Sequence, residues 1–369
     1  MSHFSVLVCV PADIELRKLD DFLAERMERW NENREVAEYR DYEEGSPDEH
    51  WWARALRRKA EKHGIATYES ELADARRQKL ERPYEQWTPE DRAADEMRDF
   101  GEAAAWVGKF GPGPWTWAQV AEAYNARWHP GNEVALADDD SDSERLRIDD
   151  EGRAYTISTS NPEAKWDYWR IGGRWREYFV AREPGAGIIL ARKDWDSGEE
   201  KNDGRIWCDG GPVGLLDFDA MRDARVALRL PAYDRWVEIV AEHGQPPAWA
   251  DLIGLVELKE LSIEEARLRY NTHPAIRAAQ QADISGWGEC PEVMYGTSRE
   301  EFERLARLEA VPGYALVTLD GEWVAPGRMG WFGMSSDGPG EREGYNIAVN
   351  KYLESLRPET VLVVLDCHI

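Results

Sequence analysis

No apolar run in this chain approaches the ~18 residues that a membrane-spanning helix needs, so a bilayer-embedded protein is not expected. Cysteine is scarce too. Cys9, Cys208, Cys290 and Cys367 are the only four in 369 residues and none stands in a CxxC spacing, which argues against a disulfide-stapled scaffold or a cysteine-based zinc site. Positive charge is the third shortage: 46 Lys and Arg against 72 Asp and Glu leave a net charge of −26. Such a balance opposes general binding to nucleic acid or to an anionic membrane. His50, His63, His129, His243 and His273 show no metal-ligand spacing, and neither a P-loop nor a nucleophile elbow occurs, so no metal and no cofactor is expected. The start, MSHFSVLVCVPADIE, has no basic stretch ahead of its apolar run, so it does not read as a signal peptide. A cytoplasmic protein with reduced thiols is the expectation.

What the chain does contain is tryptophan, 18 residues of it, and arginine, which outnumbers lysine 36 to 10. Arg forks onto carboxylate and phosphate and stacks on aromatic rings, although a GC-rich genome accounts for the same bias. Residues 4–10 and 360–367 are apolar runs of buried-strand length, and each adjoins an amphipathic helix. The fold class predicted is α+β, with a mixed sheet containing both terminal strands, a central Trp-rich hairpin and a charged helical insertion. Residues 1–30 and 154–369 form the core domain in this reading, 31–130 the insertion, and 131–153 an acidic connector. Helix starts are marked by capping boxes at Ser46/Glu49, Thr116/Gln119, Ser262/Glu265 and Ser298/Glu301, and by Thr88-Pro89. Asp320-Gly321 reads as a type I′ hairpin turn. In the connector, Asp138, Asp140, Asp142 and Glu144 alternate like the start of a Ca²⁺ loop. Ser143 replaces the required Gly and Asp149 the bidentate Glu, so a solvated acidic loop is expected there.

The central segment NPEAKWDYWRIGGRWREYF carries most of the chemistry. If Gly172-Gly173 is a two-residue turn, Trp166 and Arg170 share a face with Trp175, while Trp169 shares the other with Arg174 and Arg176. Aromatic planes beside guanidinium groups suit a ligand with a flat ring and an anionic group, such as a nucleotide derivative. The same residues would also serve as core aromatics with local ion pairs. A second candidate group is His3, Asp366 and His368: if the end strands are neighbours the two imidazoles approach, and Asp366 shares a strand face with His368, giving the elements of a general base. A third is the loop GRMGWFGMSSDG, where Trp331, Phe332 and Asp337 would line a pocket or pack as a surface loop.

Taken together, MSHFSVLV, NPEAKWDYWRIGGRW, MGWFGMSSD and VLVVLDCHI resemble an uncharacterised family found in actinobacteria, other bacteria and their phages. The resemblance covers a small part of the chain. It implies a soluble accessory protein of a phage or mobile element and brings no reaction or catalytic residue with it. The leading expectation is a protein that captures a small anionic aromatic ligand. The alternatives are a hydrolase or transferase using His3, Asp366 or His368, and an acidic module that engages a basic host protein or imitates DNA.

Overall fold

Alternation of side chains explains the centre of the molecule. In the computed structural model, which describes residues 3–47, 49–63, 105–111, 114–128, 144–185, 187–190, 201, 203–284, 290–329 and 334–369, both terminal apolar runs are strands. The strands are β1 (His3–Val10), β2 (Tyr39–Tyr42), β3 (Arg147–Ile148), β4 (Ala154–Ser158), β5 (Tyr168–Ile171), β6 (Phe179–Ala181), β7 (Ile206–Cys208), β8 (Gly210–Pro212), β9 (Ala315–Val317), β10 (Trp323–Val324) and β11 (Val361–His368). The longer helices are α1 (Leu19–Met27), α2 (Trp51–His63), α3 (Trp117–Trp128), α4 (Phe218–His243), α5 (Trp249–Glu257), α6 (Ile263–Thr272), α7 (Pro274–Gln281), α8 (Arg299–Leu308) and α9 (Pro339–Ser355). None of the described helices is long and apolar enough to cross a membrane.

The chain divides into two units, Met1–Arg34 with Asn161–Ile369, and Glu35–Ser160. In the first, β1 and β11 pair antiparallel along their whole length, from His3↔His368 to Val10↔Val361. The sheet runs β10-β9-β1-β11-β5, and β8 pairs with the other half of the same flank of β11. The β1–β9 pairing is parallel, so the sheet is mixed. One face, with Phe4, Val6, Val8, Val363, Leu365 and Cys367, packs on Leu19, Leu23 and Met27 of α1 and on Trp30 and Trp166. The other presents Leu7, Cys9, Leu362 and Val364 to Tyr345, Val349 and Leu353 of α9 and to Leu216 and Met221. A strand covered on both faces has no polar side to alternate with, which is why both runs are almost continuously apolar.

Helices α4 to α8 supply a second cluster around Tyr233, Trp236, Ile276 and Phe302. Ser262 and Glu265 form the reciprocal capping box that opens α6, and the Ser298 side chain accepts from Glu301 N at the start of α8. β9 and β10 pair as read from the sequence, but the turn between them is not type I′. That turn needs two positive φ values, and of its central pair Gly321 adopts one (82°) whereas Asp320 does not.

The Trp-rich segment does not close on itself as a hairpin. Among the described strands, β5 pairs with β11 and β6 with β7, and Gly173–Trp175 between them is a turn of 3-10 helix. The backbone there is drawn away from a hairpin by buried carboxylates that need its N–H groups.

In the unit Glu35–Ser160, β2, β4 and β3 form a small antiparallel sheet, and Trp52, Leu56, Val107, Trp115 and Val120 pack with Leu146 and Ala154. AYTIST thus belongs to this unit, not to the central sheet. Residues 147–155 form a hairpin whose turn is held by Asp149, which accepts from the N–H groups of Glu151 and Arg153. Residues 129–143 and the helix expected at Thr88-Pro89 lie outside the described residues.

Candidate functional site

The inner face of the β1–β11 pair is apolar at one end and polar at the other. Alternation carries Leu7 and Val364 on to Ser5, Asp366, His3 and His368. Asp366 is completely buried. A carboxylate there must find donors or lose several kcal/mol of hydration uncompensated. His3 Nδ1 lies 2.8 Å from Asp366 Oδ1, Arg174 N donates to Oδ2 at 2.9 Å, and Arg170 Nε is 3.5 Å from the same oxygen. A second buried carboxylate, Asp209, accepts from Glu177 N at 2.6 Å. Glu177 sits in the left-handed region at φ 56°. The turn Gly172-Gly173 bends over both acids, with φ of 69° and 52°. A Cβ on Gly172 would stand 2.3 Å from Asp209 Oδ2, which leaves room only for glycine.

The sequence places Asp366 on a face with His368, and the structure pairs it with His3. The partner of His368 is Asp167, with Nδ1 2.7 Å from Oδ1. The two imidazoles meet edge to face, with centroids 4.9 Å apart. Nothing in the sequence singles out Asp167, because its relation to His368 exists only through the β5–β11 pairing.

Beyond the dyad lies a cavity of about 800 Å³. Arg174, Trp175 and Arg176 from the turn line it, together with His3, Phe4 and Ser5 of β1. Four residues of α4, namely Met221, Ala224, Arg225 and Leu228, form another wall, and Lys201, Trp207, Tyr178, Tyr314 and Arg342 complete its charged and aromatic lining. Among the described lining residues, five side chains are Arg or Lys and Glu309 is the one carboxylate.

Local contacts hold the lining in place. Arg342 donates from Nε and Nη2 to Asp337, at 2.8 and 3.0 Å, and its guanidinium lies 5.1 Å from the Tyr314 ring centre. Burial opposes ionisation of Asp337, but bonds from Ser335 and Arg342 outweigh it and hold the carboxyl below its ordinary range. Lys201 stacks 3.7 Å from the Trp207 ring centre and donates to Glu177 O at 2.7 Å. Burial, with the nearby charge of Arg176 adding to it, pulls the ammonium below its usual value against the attraction of Glu177 and Asp203. The Tyr178 hydroxyl reaches the carbonyls of Val311 and Pro312, and burial pushes its pKa up. Tyr345 keeps a buried hydroxyl with no hydrogen-bond partner among the described residues.

The ligand residues anticipated from sequence are therefore divided by the sheet. Arg174, Trp175 and Arg176 line the cavity, and Arg170 lies beneath it on Asp366. Trp166 is core on the opposite face and Trp169 packs against that core, because Trp169 and Ile171 alternate away from Arg170. Asp337 braces Arg342 from outside the lining. Trp331 and Phe332 lie outside the described residues. Sequence reasoning missed Arg225, Arg342, Tyr178, Tyr314, Lys201 and Trp207. The spacing of Met221, Arg225 and Leu228 shows a helix face without showing what it faces.

No protein-family model, curated protein or solved structure matches the chain.

Proposed function

We propose that this cavity binds a small molecule with a flat ring and an anionic group, of nucleotide type. One observation carries the reading: a chain with net charge −26 gathers five Arg and Lys side chains and the rings of Trp175, Trp207, Tyr178 and Tyr314 around one cavity. The volume falls within the range of small-molecule sites, ~300–1,000 Å³. Guanidinium forks match phosphate oxygens, and a ring stacks on an indole face whatever its hydrogen-bond pattern. For an accessory protein of a phage, as the family resemblance implies, capturing such a molecule would remove it from the host.

Calorimetric titration with a panel of nucleotides and dinucleotides tests this. At least one member should bind, and Arg174→Ala should weaken it by about 1.5–3 kcal/mol while leaving the melting temperature near that of the wild type, because the Arg174 contact with Asp366 is made by its backbone. Absence of binding across the panel would sink the reading, and binding indifferent to Arg174→Ala would move the anion elsewhere.

A further inference from the structure

The cavity contains the elements of acid–base chemistry as well as of binding. His3 is part of its lining, and its Nδ1 is held 2.8 Å from Asp366 Oδ1. A carboxylate only accepts, so in the neutral imidazole Nδ1 carries the proton and Nε2 keeps the lone pair. Asp366 cannot swing away from this task. It is fully buried, and its other oxygen is fixed by Arg174 N at 2.9 Å. One residue thus ties the two functions together, since Arg174 anchors the carboxylate through its backbone and lines the cavity with its side chain. A buried Asp that orients an imidazole and stabilises the imidazolium is the arrangement found in acid–base catalysis on several unrelated folds. His368, with its own partner Asp167, is not among the cavity-lining residues.

We infer that His3 is the general acid–base group of a phosphoester hydrolase, with Asp366 as its positioning residue, an activity that rests on the cavity accepting a nucleotide-type anion. In the step, water attacks phosphorus as Nε2 takes one of its protons, and a P–O ester bond breaks. The imidazolium then returns that proton to the leaving oxygen. A phosphomonoester and an alcohol result, nothing is oxidised or reduced, and water is the sole co-reactant. Arg174 and its cationic neighbours stabilise the negative charge that the phosphoryl oxygens carry in the transition state.

Three probes test this: the dinucleoside monophosphate ApA, 3′,5′-cyclic AMP and bis(p-nitrophenyl) phosphate, followed by ³¹P NMR and, for the last, absorbance. Wild type should release a phosphomonoester from at least one, with a rate that rises through a single ionisation. His3→Gln should lower kcat by ~10²–10⁴-fold while changing calorimetric affinity far less. Added imidazole should restore part of the rate to His3→Ala, a recovery that a purely structural histidine would not give. Turnover that His3→Gln leaves intact would overturn the assignment. So would failure of wild type to hydrolyse any probe: if a probe nevertheless binds, catalysis alone is refuted, and if nucleotides and probes all fail to bind, the ligand reading falls with it.

Discussion

Gly173 and Asp366 leave no room for a side chain between them: a Cβ on Gly173 would stand 2.3 Å from Asp366 Oδ2 and 2.6 Å from Arg170 Nε. The close approach lets Arg174 N reach the buried carboxylate, so the glycine is a condition of the dyad and of the cavity wall alike. Gly173→Ala should cost roughly 2–4 kcal/mol in urea unfolding, combining strain at positive φ with displacement of a buried ion pair. Gly204→Ala provides the comparison, because Gly204, in the same unit, has φ 82° with nothing among the described residues within 4 Å of its would-be Cβ. That change should cost only about 1 kcal/mol. Equal losses would show that the Asp366 contact adds nothing to the backbone penalty.

Removing residues 360–369 should prevent folding of the unit they belong to. Strand β11 is interior, pairing with β1 on one side and with β5 and β8 on the other, and its loss strips hydrogen bonds from all three. The truncated chain is expected in the insoluble fraction, and a soluble product with unchanged melting would contradict the sheet order.

Trp175 tests whether an aromatic of the turn serves the cavity or the core. From the sequence, Trp175 has two readings, a ring that stacks on a ligand and a core aromatic. The side chain retains 37% of its exposure and lines the cavity, so truncation should cost less stability than the ~3–5 kcal/mol of a core aromatic while reducing ligand affinity. Trp166→Ala, at 5% exposure in the core, should give the full loss of stability. Melts and titrations on both variants decide it, and a core-sized loss from Trp175→Ala would return that residue to the core.

In the unit Glu35–Ser160, His50 is buried against Trp51, Trp117 and Tyr124, and its Nε2 lies 4.0 Å from the Glu43 carboxylate. Burial lowers its pKa, so the folded state binds its proton less readily than the unfolded chain does. The stabilisation is complete above the unfolded value near ~6.5 and is lost as pH falls below it toward the depressed folded value. An NMR titration should find the His50 ring ionising below ~6.5, and His50→Gln should reduce the stability lost between pH 7.5 and 5. Ionisation at or above ~6.5, or an acid loss unchanged in the variant, would exclude this account.

Sequence alone determined the parts of this protein that repeat over several residues. The runs 4–10 and 360–367 reveal two strands buried on both faces, and the Ser262/Glu265 pair marks a helix start, because burial and capping act over neighbours in the chain. The turn at Gly172-Gly173 was also legible as a turn, though not its form. Tertiary structure alone decided what surrounds it: that Asp366 answers to His3, that Asp167 answers to His368, and that Arg225 and Arg342 come to the cavity that Arg174 lines. Those relations join residues far apart in the chain through strand register and helix packing. A buried carboxylate takes whichever donors the fold brings within ~3 Å, and no local pattern in the sequence records which those will be.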